Sequence, residues 1–273
     1  MNYKMIVLDL DDTLLRDDRT ISPRTKQALL DAQAAGVKVV LASGRPTYAM
    51  IDIAQELELD RFGSFILSFN GAKITNFSTK EELFSSTLPV ETVRDIYALS
   101  QQEEMSVLTY VGDDIVTEAC NEFVEKESEI TGMPILEVDS FVDAVQQPVV
   151  KVLMVGNADK LAIIEKKLQK QLEGQLSVMR SKPFFLEFTE HGVDKGTSLH
   201  ELIQKLGIRQ EEVIAMGDSY NDVAMIKFAG LGVAMGNAPA DIQALADYVT
   251  DTNMNDGVAK VVEKYVLGEL VAK

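Results

Sequence analysis

The chain has 273 residues, 46% hydrophobic and 25% charged, the profile of a globular protein with one large or two smaller cores, which excludes a disordered chain. Lys and Arg total 26 against 43 Asp and Glu, and a net charge of -17 repels nucleic-acid backbones and anionic membranes. An anionic ligand therefore has to enter a locally positive pocket.

A single cysteine, Cys120, allows no internal disulfide, and the start Met1-Asn2-Tyr3-Lys4 leads into only four apolar residues before Asp9, so no signal-peptide core is expected there. No apolar run approaches the ~18 residues of a membrane span. A cytoplasmic protein is expected, with neither nucleic acid nor membrane as partner.

Met5 to Leu8 is apolar on both faces, as in a buried strand of a parallel sheet, which puts Asp9 at the carboxyl end where open α/β sheets bind ligands. The run continues Asp9-Leu10-Asp11-Asp12-Thr13-Leu14. Carboxylates clustered there repel by about 4 kcal/mol per pair at ~4 Å and an effective dielectric of ~20, so a cation has to offset them. One Asp alone after a strand would be ordinary turn chemistry.

A polar stretch over 14 to 21 is expected to form a short flap. Ser22-Pro23 caps a helix over 23 to 35 that Gly36 stops. Val37 to Ala42 is a second strand, ending in Ser43-Gly44-Arg45-Pro46 before a helical stretch to about Glu58. A strand leading into a helix aims free N–H groups at one spot, which suits a phosphate, although Ser43 alone could simply be a cap. Phe65 to Ser68 is a third strand, and Asn70-Gly71 signals a hairpin with Ala72 to Asn76 as its return.

From residue 83 helices alternate with strand pairs. Helices are predicted over 90 to 103, near 120 to 130 and over 160 to 172; strands over 107 to 111, 115 to 119, 149 to 155, 176 to 179 and 184 to 188. Tight turns between neighbouring strands imply an antiparallel sheet with helices on one face, so 83 to 189 is expected to be an inserted α+β domain. The remainder, 1 to 82 and 190 to 273, reads as α/β, a Rossmann-like doubly wound parallel sheet. There Lys195 opens a helix carrying Leu199, Leu202, Ile203 and Leu206 to Gly207. Val213 to Met216 is a strand ending in Gly217-Asp218-Ser219-Tyr220-Asn221-Asp222, with a helix to about Ala229. Leu231 to Met235 and Tyr248 to Thr250 are further strands, and Asp256-Gly257 opens a final helix.

Four strand ends thus offer Asp9, Asp11 and Thr13; Ser43; Lys195; and Asp218, Asn221 and Asp222. Hard oxygen donors without Cys or His clusters point to Mg²⁺, with Asp9 and Asp218 as side-chain ligands. An Asp nucleophile, a metal and donors on the equatorial oxygens suffice for phosphoryl transfer, and Asp11 can serve as acid and base.

These motifs, with Asn70-Gly71-Ala72 and Lys195-Gly196, resemble the haloacid dehalogenase superfamily, specifically its Cof-type sugar phosphatases, over essentially the whole length. The resemblance implies Asp9 as nucleophile, Asp11 as acid/base, and a metal held by Asp9, the Asp11 carbonyl and Asp218. It implies that Thr13, Ser43, Gly44, Lys195 and Asn221 surround the phosphate, with Asp222 behind, and that the inserted domain is a cap selecting the leaving group. A small phosphorylated metabolite would be the substrate. A sugar phosphomutase and a non-catalytic phosphometabolite sensor are the alternatives.

Asp12 stands where that family usually has Gly; its side chain is expected to point outward. Arg45 could meet a second anionic group or a surface acid. Glu187 is a candidate for a sugar hydroxyl, with a solvated strand face as its alternative. His191 and His200, the two histidines, are expected to have no catalytic part.

Overall fold

The computed structural model describes residues 3 to 268, so Met1 and Asn2 of the short start lie outside the described residues. The chain divides into two compact units, Met1–Phe84 with Asp194–Lys273, and Ser85–Val193. No helix among the described residues is long and apolar enough to cross a membrane.

In the first unit β1 (Met5–Leu8) leads through the acidic loop to α1 (Pro23–Ala34), whose Ser22 cap accepts from the Thr25 amide at 3.1 Å. The acidic flap is a self-bonded turn in which Asp18 Oδ1 accepts from both the amide and the hydroxyl of Thr20. Next come β2 (Lys38–Ala42), α2 (Ile51–Glu56), α3 (Leu59–Phe62), β3 (Phe65–Ser68), β4 (Lys73–Asn76) and β5 (Glu82–Ser85). The helical stretch after Pro46 is thus broken into short turns. The hairpin between β3 and β4 pairs Ser68 with Lys73, which makes its loop four residues rather than the two of Asn70-Gly71.

The second unit holds α4 (Val90–Gln102), β6 (Ser106–Val111), β7 (Asp114–Thr117), α5 (Glu122–Thr131), β8 (Ile135–Glu137), α6 (Phe141–Ala144), β9 (Val152–Val155), α7 (Ala158–Gln171), β10 (Leu176–Lys182) and β11 (Phe185–Glu190). Its sheet runs β10-β11-β9-β6-β7-β8. Two expectations are corrected here. The β7–β8 pair is parallel, because the α5 crossover joins them, and the helices are not all on one face. Helices α4 and α7 pack on the face that includes Val107 and Met154, whereas Tyr110, on the opposite face by strand alternation, bonds Glu127 of α5.

The first unit then resumes with α8 (Lys195–Leu206), β12 (Val213–Gly217), α9 (Val223–Phe228), β13 (Leu231–Ala234), α10 (Ala240–Gln243), β14 (Tyr248–Val249) and α11 (Gly257–Val262). The sheet order is β14-β13-β12-β1-β2-β3-β4-β5, parallel from β14 to β3. Alternation explains why every central strand reads as continuously apolar. Ile6, Leu8, Val39 and Leu41 pack with α1 and α11 on one face; Met5, Val7, Val40 and Ala42 pack with α8 on the other. Leu8 aligns with both Leu41 and Met216, so Asp9, Ser43 and Asp218 emerge side by side at one edge.

Gly71, at φ +104, could not be replaced without strain, since a Cβ there would lie 2.5 Å from the Asp194 carbonyl and from Ser198 Oγ. That hydroxyl also donates to the Gly71 carbonyl at 2.7 Å, tying the β3–β4 loop to the first turn of α8. Gly71→Ala is expected to cost about 3 kcal/mol, from backbone strain and overpacking together, read as a fall in the urea midpoint at unchanged slope.

Candidate active site

Asp9 continues the line of β1, its amide donating to the Met216 carbonyl at 3.0 Å, and the chain then winds through a wide turn over Leu10–Leu14. Asp12 occupies the left-handed region at φ 59, ψ 8, a conformation Asp tolerates better than most residues. Its side chain is exposed but not turned away from the acidic group: it lines one shallow depression with Asp17, Asp218, Asn237 and Asn253, and its charge helps to raise the Asp218 carboxyl.

Lys195 is fully buried on the first turn of α8, where Asp194 caps the helix by accepting from the Gly196 and Thr197 amides at 2.8 Å each. The ammonium donates to Asp9 Oδ1 and to Asp222 Oδ1, both at 2.6 Å. Burial works against its charge, but the two carboxylates outweigh that, and its pKa is raised. Burial in turn pushes the Asp9 carboxyl up, against the opposing pull of Lys195.

Carboxylate oxygens of Asp9, Asp218 and Asp222 lie within 4.8 Å of one another. One ammonium cannot balance three such groups, and the Asp218 carboxyl is pushed up to about 6, first by burial and then by repulsion from Asp222. Asp222 is already saturated: Oδ1 takes Lys195, and Oδ2 takes the amides of Asp218 and Ser219 at 3.1 and 2.9 Å. Asp9 and Asp218 therefore have oxygens to spare, and this all-oxygen donor set fits a hard divalent cation.

Two residues have side-chain partners that the sequence did not foretell. Thr13, expected at the phosphate, donates its hydroxyl to Asp218 Oδ1 at 3.0 Å and so orients that carboxylate. The Asp11 side chain does not join the acidic trio; it receives Arg45 in a two-pronged pair, Nε at 2.9 Å and Nη2 at 2.5 Å. Of the two readings of Arg45, pairing with an acid is the one observed, and the acid is Asp11.

At the end of β2, Ser43 is buried and its Oγ accepts from the Arg45 amide at 3.2 Å. A Cβ on Gly44 would meet the Asn70 side-chain amide at 3.1 Å, a tight contact that would press on that amide. Asn221 donates Nδ2 to Asn70 Oδ1 at 3.0 Å. Glu187 is in the other unit, buried, and paired with Lys151 at 2.9 Å; the solvated strand face is not what the structure shows. His200 stacks edge-on against Phe228.

Sequence reasoning missed Asn237 and Asn253. Asn237 donates to the Asp12 carbonyl at 2.8 Å and accepts from the Asn253 amide at 3.0 Å, while Asn253 Nδ2 donates to the Leu15 carbonyl at 3.0 Å. Together they hold the acidic loop at both ends of its bend. Neither carried a signal in the sequence, because a bond across more than two hundred residues leaves no local pattern.

A family model for haloacid dehalogenase-like hydrolases matches residues 6–262. The chain is 32% identical over 269 residues to 5-amino-6-(5-phospho-D-ribitylamino)uracil phosphatase YcsE of Bacillus subtilis (strain 168), covering 98% of this chain and 97% of that one. The solved structure of a haloacid dehalogenase-like hydrolase from Bacteroides thetaiotaomicron superposes with TM-score 0.92 at 46% identity, over 96% of this chain and 99% of that chain. A sugar phosphatase of subclass IIB superposes with TM-score 0.79 at 28% identity, over 96% and 98% respectively.

Lys195→Met is expected to cost about 3 to 5 kcal/mol by chemical denaturation near pH 7, since it leaves two buried carboxylates facing each other without a cation. A second expectation follows from Asp218. Its folded pKa of about 6 lies above the ordinary 3.8, so the folded state binds the proton more tightly and the stability it contributes is lost as pH rises from about 4 to about 6. Metal-free Asp218→Asn should therefore lose less stability than the parent chain between pH 4.5 and pH 7, measured by parallel melts.

Proposed function

Because the chain belongs to the haloacid dehalogenase-like hydrolases and is a phosphatase, we propose that it is a Mg²⁺-dependent phosphomonoesterase of small phosphometabolites, sugar phosphates foremost. The observation that carries this reading is the pose of Asp9. Its Oδ1 is fixed by buried Lys195, while Oδ2 has no hydrogen-bond donor among the described residues and is left for nucleophilic attack.

The residues then divide the work. Asp9 Oδ2 bonds to phosphorus as the ester P–O bond breaks, and Asp11 passes a proton to the leaving oxygen. Water next attacks the phosphorus of the aspartyl-phosphate, Asp11 takes the proton back, and orthophosphate leaves with Asp9 restored. Asp11 suits both steps, since its side chain is 58% exposed and open to water. Arg45 holds both carboxylate oxygens of Asp11, so that contact has to open before Asp11 reaches the leaving oxygen.

Ser43, Gly44, Lys195 and Asn221 form the phosphate cradle in this reading. Asp9, the Asp11 carbonyl and Asp218 would hold Mg²⁺, with Asp222 behind them and Thr13 orienting Asp218. Mg²⁺ bound there supplies charge neutralisation at the phosphoryl oxygens. Ser85–Val193 contributes none of these groups, and we assign it the choice of leaving group. Subclass IIB similarity supports a sugar there.

The test is a phosphate-release screen over sugar phosphates, nucleotides and cofactor phosphates with Mg²⁺, with Asp9→Asn as the blank. Release from at least one sugar phosphate, abolished by chelation and by Asp9→Asn, is expected. An isomerised sugar phosphate without free phosphate would replace hydrolase by mutase. Metal binding requires ionised Asp218, so Mg²⁺ should raise the melting temperature more at pH 7 than at pH 5.

A further inference from the structure

Phe69, Asn70 and Gly71 carry three positive φ angles in succession, +53°, +56° and +104°. Left-handed backbone at a non-glycine residue costs free energy, about 1 to 3 kcal/mol in unfavourable cases, and persists only where neighbours enforce it. Here they do. The Phe69 amide donates to the Arg45 carbonyl at 3.0 Å, the Asn70 amide to the Ser43 carbonyl at 2.9 Å, and Ser198 on the Lys195 helix holds the Gly71 carbonyl. The β3–β4 loop is thereby bound to both segments of the phosphate cradle.

The consequence falls on the Asn70 side chain. In the structure its oxygen accepts from Asn221 Nδ2 at 3.0 Å, which turns its nitrogen the other way. Its nitrogen lies 3.1 Å from where a Gly44 Cβ would be, directly beside the Ser43-Gly44 backbone. Neither N–H of that nitrogen is given to an acceptor among the described residues, and the residue is only partly buried, so both are open to a ligand.

We propose that Asn70 is a further phosphate-contacting residue, a neutral donor to a non-bridging oxygen, held in that pose by Asn221. The inference rests on the phosphatase reading above. A neutral donor is well matched to this site: it lends a hydrogen bond to an oxyanion without adding to the burial cost of another charge beside Lys195.

A purely structural Asn70 would be present only because asparagine tolerates left-handed backbone. Asn70→Gly separates the two, as glycine accepts that backbone freely and deletes only the amide. With saturating Mg²⁺, inorganic phosphate titrated calorimetrically into the full chain should bind Asn70→Gly about tenfold or more weakly, the usual loss of a hydrogen bond to a charged group. Its Mg²⁺ affinity and melting temperature should stay near those of the parent. Asn70→Asp, which sets a carboxylate against the phosphate, should bind it more weakly still.

Parent-like phosphate affinity in Asn70→Gly overturns the assignment, as does weakening accompanied by an equal loss of Mg²⁺ affinity, which would mark a general collapse of the site. The parent's turnover of p-nitrophenyl phosphate, compared with Asp9→Asn, tests the phosphatase reading separately. Turnover with an idle Asn70 sinks only this inference, and a parent that neither turns over the ester nor binds phosphate sinks both.

Discussion

One buried ammonium holds the site together. Lys195, with no solvent exposure, bridges Asp9, just past the first strand, and Asp222, just past the neighbouring strand β12. A carboxylate or an ammonium alone at that depth would carry a desolvation penalty of several kcal/mol, and it is tolerated because each supplies the other's counter-charge with short hydrogen bonds. Removing any member strands the rest. The pairing therefore ties α8 to the ends of β1 and β12, and decides which oxygen of Asp9 is left without a donor.

The balance is deliberately incomplete. Asp9, Asp218 and Asp222 surround one ammonium, and burial first, then repulsion from Asp222, raises the carboxyls of Asp9 and Asp218. The protein has nonetheless spent its hydrogen bonds so that the shortage is localised. Asp222 is saturated by Lys195 and two amides, whereas Asp218 is steadied by Thr13 through one oxygen. The unsatisfied negative charge thus converges where a hard cation and a phosphate would meet.

Precision comes from long-range polar staples rather than from the sheet alone. Asn237 and Asn253 hold the acidic loop, Asn221 holds Asn70, and Ser198 holds Gly71. Each is a neutral group acting on backbone or on another amide, which orders the loops without changing the local charge. The inserted unit follows a different logic: Lys151, Glu187, Tyr110 and Glu127 form a buried polar cluster on one face of its sheet, where the Glu127 carboxyl is raised mainly by burial.

Sequence periodicity alone determined the doubly wound sheet, since a strand buried on both faces has to read as Met5-Ile6-Val7-Leu8 or Val213-Ile214-Ala215-Met216, and its first polar residue marks the sheet's carboxyl edge. Asp9, Ser43, Lys195, Asp218, Asn221 and Asp222 were legible for that reason: each lies at a strand end or opens a helix. Tertiary structure alone decided how those groups are shared. That Thr13 serves Asp218, that Asp11 meets Arg45, that Asn70 stands beside Gly44 and that Glu187 is buried against Lys151 are matters of side-chain direction. Hydrogen bonds between residues 34 to 225 positions apart depend on where separate loops converge, and no local pattern in the chain encodes that convergence.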